Sequence, residues 1–195
     1  MVTGVQAMRW YEVTVTGQDS HAGTTPMPRR RDALLGAARM VEAVNATARA
    51  HAGAVGTVGL MEVKPGSPNV IPGEVFFTID MRDPDAAVLD RMESEISATA
   101  KAIGAELGLT IAMKNIWTQP VVQFDAQCIA AVREGARISG LSTRDMTSGA
   151  GHDAAYVSRV APSSMIFVPC KDGISHNEAE YSSKEQCAAG AQVLL

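Results

Sequence analysis

Six segments in the first 120 residues carry hydrophobic patterns in the order strand, helix, strand, strand, helix, strand. They lie at 9–17, 30–50, 55–63, 74–82, the stretch after Asp83-Pro84, and 109–117. Alternating apolar and polar side chains indicate a half-buried strand, whereas apolar side chains three or four positions apart indicate a helix. Few architectures accommodate this order, so it constrains the fold more than any other feature of the chain.

The patterns also indicate which faces are buried and where the helices begin. Tyr11, Val13 and Val15 alternate with polar residues and should point into a core. Pro28 and Asp83-Pro84 are start signals for the two helices. Four strands and two helices in this order predict a ferredoxin-like βαββαβ sandwich, an α+β domain.

A different pattern follows, typical of an α/β domain. We expect a helix over 126–139 that ends at Gly140, a glycine-rich loop, a helix start, a buried strand over 163–170, and a last helix that opens with a capping box at 182–185. The chain stops at Leu195 inside that last helix, without a C-cap. We therefore expect this end, and also the start, to be cuts.

Composition excludes several classes of function. The chain is 46% hydrophobic and 19% charged, as expected for a packed globular protein. Its net charge is −4 and its one basic block is Arg29-Arg30-Arg31, so no nucleic-acid partner is expected. No apolar stretch approaches the roughly 20 residues of a membrane span, and no signal-peptide pattern is present. Three cysteines without a close-spaced pair suit a reducing cytoplasm.

His176 is the strongest candidate for a metal ligand. It follows the predicted buried strand, and open α/β sheets place their ligand sites beyond the carboxyl ends of strands. A zinc site needs three or four ligands. The other imidazoles, those of His21, His51 and His152, form no ligand pair with His176 at short spacing. We therefore expect most of the metal-binding half of the site to be absent from this chain.

Two loops of the predicted sandwich carry further candidates. His21 lies between the first strand and the first helix, and functional residues concentrate on loops. A histidine that only caps or packs a turn is the alternative. Asn69 lies between Pro68 and Pro72, which stiffen its loop, and its amide can offer a ligand both a donor and an acceptor. An Asx turn that closes the hairpin is the alternative for Asn69.

Two other candidates lie at the ends of elements. Arg82 ends its strand, and its guanidinium is shaped for bidentate binding of a carboxylate. The alternative for Arg82 is an ion pair with Asp80, Asp83 or Asp85. The small residues of the 148–151 segment precede a helix start and offer backbone N–H groups to an anion. A tight turn is the alternative there.

The neighbours His152 and Asp153 suggest a metal pair or a catalytic triad. Adjacent residues of a helix do not point to a common site, so this interpretation is not favoured.

Together and in this order, these segments resemble one enzyme family. They are Ser20–Met27 with Arg31-Asp32-Ala33, Pro68–Pro72, Asp80-Met81-Arg82, Ser148–Ala154 and Gly173–Asn177. Over essentially its whole length the chain is similar to the N-carbamoyl-L-amino-acid hydrolase, β-ureidopropionase and allantoate amidohydrolase family. These are di-zinc enzymes of the aminoacylase and carboxypeptidase-like metallopeptidases. Residues 167–173 look more like the carbamoylase branch than the allantoate branch.

The resemblance implies a division of the chain. Residues 9–117 would be a lid that is inserted into an α/β catalytic domain and forms a homodimer. Residues 118–195 would be the C-terminal part of that catalytic domain, in truncated form. In that family the remaining metal ligands and a glutamate general base lie in an N-terminal segment, which is absent here.

The resemblance also implies roles for individual residues. His176 would ligate one of two divalent metal ions, zinc or alternatively manganese, cobalt or nickel, and the fragment alone would hold none tightly. His21 would reach across the dimer and polarise the scissile carbonyl. Asn69, Arg82 and the backbone of Ala150 and Gly151 would hold the substrate carboxylate.

The implied reaction is metal-assisted hydrolysis of the carbamoyl C–N bond of small N-carbamoyl-L-amino acids. A dipeptidase or N-acyl amino acid deacylase of the same superfamily is the alternative, although the Gly149–Ala154 stretch favours the carbamoyl hydrolase. A third hypothesis comes from another class. As cut, the chain would be an inactive module for dimerisation and substrate binding.

Overall fold

A computed structural model describes all 195 residues of the chain. Its elements are β1 Val2–Val5, β2 Ala7–Thr16, β3 Ser20–His21, α1 Ala33–Ala50, β4 Val55–Lys64, β5 Val70–Ile71, β6 Glu74–Asp83, α2 Ala86–Leu107, β7 Thr110–Gln119, β8 Val122–Gln123, α3 Ala126–Ile138, β9 Met146–Ser148, α4 Asp153–Val157 and α5 Lys184–Leu194. They form two compact units. The central unit is Ala7–Pro120, and the flanking unit is Met1–Gln6 together with Val121–Leu195.

The central unit is a four-stranded antiparallel sheet with two helices packed on it. Its strand order is β4–β6–β2–β7, and every neighbouring pair is antiparallel. Strands β2 and β6, the first and third long strands of the unit, occupy the centre. This is the ferredoxin-like βαββαβ arrangement, so the predicted fold class is confirmed.

Alternation along the two central strands decides which face of the sheet is buried. The buried side chains are Tyr11, Val13 and Val15 of β2 and Val75, Phe77, Ile79 and Met81 of β6. They meet the buried apolar stripes of α1 and α2. Each large apolar side chain contributes about 1.5–3 kcal/mol when fully buried. The core of the central unit therefore lies between this face and the two helices.

Helix α1 begins later than the sequence analysis predicts. Its N-cap is Asp32, whose carboxylate accepts hydrogen bonds from the backbone N–H groups of Leu34 and Leu35 at 3.0 and 3.1 Å. Pro28, the predicted start signal, lies instead in a separate 3-10 turn, Met27–Arg29. The short polar side chain directly before the first turn fixes the start of the helix, because it satisfies otherwise unpaired N–H groups.

Helix α2 also begins later than predicted. Its N-cap is Asp85, which accepts from the N–H of Ala87, whereas Asp83 is still paired with Ala7 in the sheet. Two glycines, Gly104 and Gly108, are possible ends of this helix in the sequence. The helix ends at Gly108, which is the C-cap and has a left-handed backbone with φ of 66°.

The flanking unit contains a three-stranded sheet with the order β8–β1–β9. Strand β1 pairs antiparallel with β8 and parallel with β9. Four residues are too few to display alternation, and β1 is therefore absent from the sequence prediction. The predicted helix over 126–139 is confirmed as α3. Helix α5 does open with a capping box, but one residue later than predicted, because Ser183 and Gln186 are bonded reciprocally.

The buried strand predicted over 163–170 is wrong. The segment makes one isolated bridge, in which the N–H of Val2 donates to the carbonyl of Met165 at 3.1 Å. Its side chains are only partly covered, and Phe167 is 41% exposed. An apolar run of this length resembles a buried strand in sequence, but it becomes one only where neighbouring strands pair along it. His176 therefore follows an irregular extended segment.

Candidate functional site

Two of the predicted site loops meet through a short ladder in the central unit. Strands β3 and β5 pair antiparallel, with Ser20 opposite Ile71 and His21 opposite Val70. One residue further on, the N–H of Ala22 donates to the carbonyl of Asn69 at 2.9 Å. The fold therefore places His21 and Asn69 side by side at one end of the sheet.

The hydrogen bonds of His21 select its tautomer. Its Nδ1 accepts the backbone N–H of Gly23 at 2.9 Å. A neutral imidazole that accepts at Nδ1 must carry its hydrogen on Nε2. The residue is exposed, so the outward-facing nitrogen is a donor. The local turn thus presents an N–H group to any ligand that docks here.

The His21 loop is held by a residue that the sequence analysis did not single out. Arg30 donates from its Nη2 to the carbonyl of Ala22 at 2.6 Å and from its Nε to the carbonyl of Thr25 at 3.1 Å. The N–H of Thr25 in turn donates to the carbonyl of His21 at 3.2 Å. In the sequence, Arg30 stands out only as part of a basic block. The structure shows that its guanidinium donates to two backbone carbonyls of the loop.

Asn69 does not form the Asx turn that was the alternative for it. Its side-chain Oδ1 accepts from the hydroxyl of Ser67 at 2.8 Å. The turn is closed by the backbone instead, because the N–H of Val70 donates to the carbonyl of Ser67. The residue is exposed, and its side-chain NH2 group remains available to a ligand.

Arg82 forms the ion pair that was the alternative for it. Its Nε lies 2.9 Å from Oδ1 of Asp80, and its Nη2 lies 2.6 Å from Oδ2. This bidentate pair raises the pKa of Arg82, chiefly through the hydrogen bond to Asp80. Both side chains are partly exposed. Asp80 therefore orients the guanidinium plane at this end of β6.

Arg82 and the His21–Asn69 pair lie at opposite ends of the central sheet. The His21 loop follows Thr16, which pairs with Glu74 at the start of β6, whereas Arg82 is the second-last residue of that strand. At about 3.3 Å per residue, Glu74 and Arg82 are about 26 Å apart along the strand. The structure brings together two of the three predicted site residues of this unit and leaves the third at a distance.

In the predicted anion-binding turn of the flanking unit, one of the two predicted backbone donors is already hydrogen-bonded within the chain. The N–H of Ala150 donates to Oγ of Ser148 at 3.1 Å. The N–H of Ala150 is therefore already bonded within the turn, and the substrate-binding role of this residue stays a prediction. No hydrogen bond of the chain uses the N–H of Gly151, so this predicted donor is available.

His152 contacts a residue that the sequence analysis did not connect with it. Its Nε2 lies 2.7 Å from Oγ of Ser148. Ser148 is 1% exposed, so it cannot reach a substrate as a nucleophile. The geometry therefore gives no support to a triad or a metal pair at His152 and Asp153.

His176 occupies an unusual backbone position in the flanking unit. Its φ is 57°, a left-handed conformation that is uncommon outside glycine and is often found at functional sites. The N–H of His176 donates to the carboxylate of Glu180 at 2.9 Å, and its Nδ1 lies 2.9 Å from the hydroxyl of Ser175. The exposed Nε2 is left as the one ring nitrogen able to bind a metal.

The donor set of this chain does not complete a metal site. No group of three or more histidine, cysteine, aspartate or glutamate side chains is arranged to hold a metal ion. His176 fits as a single ligand, because the Ser175 contact resembles the outer hydrogen bonds that orient ligating histidines. All three cysteines are free thiols. None of the helices is both long enough and apolar enough to span a membrane.

Comparison with known proteins defines the class. The chain belongs to peptidase family M20/M25/M40, whose model matches residues 29–195. It is 45% identical to an N-carbamoyl-L-amino-acid amidohydrolase of Rhizobium meliloti over 100% of this chain and 47% of that protein. It is 36% identical to the allantoate amidohydrolase of Escherichia coli, with the same two coverages. The chain thus spans about half the length of these curated relatives.

A solved structure agrees with these sequence matches. A crystal structure of an amidase of the hydantoinase/carbamoylase family from Burkholderia vietnamiensis superimposes with a TM-score of 0.97 at 54% identity. The match covers 99% of this chain and 47% of that one.

Proposed function

We propose that the complete protein hydrolyses the carbamoyl C–N bond of N-carbamoyl-L-amino acids. The observation that carries this proposal is the β3–β5 pairing, which holds the loop of His21, with its outward Nε2–H donor, against the loop of Asn69. Preorganised donors of this kind stabilise the oxygen of a carbonyl as negative charge develops on it. The names of the amidohydrolase relatives support a ureido group as the source of that carbonyl.

The distance along β6 supports an active site built from two chains. A carbamoyl amino acid is about two peptide units long, roughly 7 Å. The ends of β6 are several times further apart than this. A substrate held by Arg82 of one chain would therefore meet His21 and Asn69 of another. In this proposal Arg82 binds the carboxylate through its guanidinium. Within the flanking unit, the free N–H of Gly151 is a candidate donor to a carboxylate.

The edge of the central sheet supports a homodimer as that two-chain unit. Strand β4 lies at the edge, and no charged residue occurs between Val55 and Met61. Leu60 is 47% exposed there. A long, apolar, uncharged edge favours pairing with another chain. Two copies of β4 related by a two-fold axis would pair antiparallel and join the sheets.

For the metal ions, we propose that His176 supplies one ligand through Nε2 and that the remaining ligands come from outside this chain. When bound, two divalent ions, zinc or an ion of similar preference, would supply an acidified water. Ser175 and Glu180 hold the histidine in place. A cytoplasmic location is part of the proposal and is supported by the three free thiols.

A complementation experiment tests the function and the two-chain site together. His21→Ala and Arg82→Ala are made separately in the complete protein, and each should lose at least about a hundredfold in activity on N-carbamoyl-L-alanine. After subunit exchange, one of the two sites in each heterodimer has both residues intact. A statistical mixture should then recover about a quarter of the wild-type activity. Complete exchange without recovery would exclude the two-chain site, and an inactive wild type would exclude the reaction.

Allantoate is the second candidate substrate, because the Escherichia coli relative named for it is 36% identical. Ammonia release from allantoate and from a series of N-carbamoyl-L-amino acids separates the two candidates. We expect a higher kcat/KM for the carbamoyl amino acids.

A further inference from the structure

Side-chain hydrogen bonds within the flanking unit hold the turn that carries Gly151. Ser148 is buried, and its Oγ accepts the N–H of Ala150 at 3.1 Å. The same oxygen lies 2.7 Å from Nε2 of His152. On the opposite side, the buried Gln6 donates from Nε2 to the carbonyl of Gly149 at 3.1 Å. The peptide group between Gly149 and Ala150, which precedes the free Gly151 donor, is therefore held at both its carbonyl and its N–H.

His152 is the member of this group that the proposed reaction leaves unused. Burial lowers the pKa of His152, with the charge of Asp153 opposing this shift, so the imidazole is neutral near pH 7. A neutral ring can accept the hydroxyl hydrogen of Ser148, or it can donate Nε2–H while the hydroxyl turns to the carbonyl of Ala150 at 3.3 Å. In both arrangements the hydroxyl links the ring to the Ala150 peptide.

The orientation of the ring is itself constrained. It lies edge-on to Phe167, with the ring centroids 5.4 Å apart. His152 is also the N-cap residue of α4, with an extended backbone and no side-chain bond to the helix. Its side chain is thus turned away from the usual capping role and towards Ser148.

We infer that His152 is a positioning residue, which holds the Ser148–Ala150 link so that the N–H of Gly151 stays free and aimed at the substrate carboxylate. This inference rests on the proposed function, because that function gives the N–H of Gly151 a carboxylate to bind. The N–H of Ala150 is bonded to Ser148, so it cannot also donate to a ligand. In return the turn has a single conformation before substrate arrives.

Two substitutions at position 152 separate positioning from packing. His152→Phe keeps an aromatic ring against Phe167 but cannot bond to Ser148. His152→Gln loses the ring but places an amide within reach of the hydroxyl. If the residue only fills space, the Phe variant should be nearly normal and the Gln variant impaired. If it positions the turn, the order is reversed.

The measurements are KM and kcat for N-carbamoyl-L-alanine and the inhibition constant of ethylurea, the same molecule without its carboxylate. His152→Phe should raise KM about ten- to a hundredfold, the range for a hydrogen bond to a charged group, with kcat within about threefold. The inhibition constant of ethylurea should change less than about threefold. His152→Gln should recover most of the KM. If His152→Phe changes KM and the inhibition constant of ethylurea by the same factor, or changes neither, the inference is overturned.

Further variants keep the result interpretable. Ser148→Ala removes only the hydroxyl and should reproduce the KM effect even if the Phe variant folds poorly. Phe167→Leu keeps an apolar side chain against the imidazole without touching Ser148 and should leave KM within about twofold. Arg82→Lys reports on the proposed function itself. If Arg82→Lys shifts the ratio of KM to the inhibition constant of ethylurea and His152→Phe does not, the positioning role of His152 is wrong and the proposed function is retained. If neither variant shifts the ratio, carboxylate recognition by this site has failed.

Discussion

At the scale of single residues, the chemistry of this chain depends on which polar atoms are already occupied. The Nδ1 of His21 accepts the N–H of Gly23, and the imidazole therefore presents a donor at Nε2. The N–H of Ala150 donates to Ser148, whereas the N–H of Gly151 makes no hydrogen bond within the chain. Sequence motifs identify such residues as candidates, but they do not record these internal bonds, which decide what each residue can offer to a ligand.

Gly23→Ala tests whether the placement of the His21 ring matters. An added Cβ would lie 3.2 Å from Cε1 and 3.4 Å from Nδ1 of His21, so the ring must move by a few tenths of an ångström. We expect kcat to fall about tenfold, because a donor displaced from the reacting oxygen loses part of its effect. In a His21→Ala background the same change should cost nothing further. Additive losses in the double variant would contradict this explanation.

The lowered pKa of His152 predicts a dependence of stability on pH. Burial lowers the folded-state pKa below its ordinary value of 6.5. As pH falls below about 6.5, the unfolded chain binds a proton that the folded chain resists, so stability decreases, whereas well above that pH the group has no effect. His152→Phe lacks this term. The Tm difference between wild type and variant should therefore narrow from about pH 7.5 to about pH 5.5, and parallel Tm curves would contradict the assignment.

At the scale of elements, local signals predict the central unit well where several agree. The strict alternation of β6 and the glycine at the end of α2 both correspond to observed features. The proline signals predict starts of α1 and α2 that are too early, because proline is permitted in a first turn but does not fix where the helix begins. Asp32 and Asp85, whose carboxylates accept from the first N–H groups, fix those starts instead.

The element predictions fail where pairing depends on the rest of the fold. The segment 163–170 has the composition of a buried strand but makes a single bridge, because no ladder forms beside it. The candidate site shows the same limit. Sequence order located the loops of His21, Asn69 and Arg82, but only the strand register shows that two of them meet and that the third lies at the other end of β6.

The two edge strands of the central sheet offer a matched test of dimerisation. Leu60→Lys places a charge in the uncharged edge of β4 and should convert the proposed dimer to a monomer, because a desolvated lysine opposes strand pairing. Ile116→Lys is the control. Ile116 lies on β7, the other edge, which already contains Lys114, and it is 42% exposed. Light scattering should show a monomer for the first variant and a dimer for the second. If both variants are dimers, the interface does not involve β4.

At the scale of the whole molecule, the chain consists of two units with separate interiors. The buried strand faces and helix stripes of the central unit all come from Ala7–Pro120. Its two chain ends lie on neighbouring strands, since Met8 pairs with Gln119. A unit with its own core and adjacent ends meets the usual conditions for independent folding.

Residues 7–120 expressed alone should therefore fold. Circular dichroism should show mixed helix and strand content and a cooperative thermal transition. Phe77→Ala, which empties a fully buried position at a cost of about 3–5 kcal/mol, should abolish or strongly lower that transition. A gradual transition that is the same for both proteins would show that the unit depends on the rest of the chain.

The pairing of β1 with β8 has a consequence for how such a chain could arise. Val5 faces Val122 across one antiparallel ladder, and the chain leaves at Gln6 and returns at Val121. Opposite residues of such a pair are about 5 Å apart. A two-residue turn could therefore replace all of residues 7–120 and leave a simple hairpin behind. An ancestral gene could have acquired the central unit in a single insertion without disturbing its host, and a laboratory could exchange it for another module in the same way.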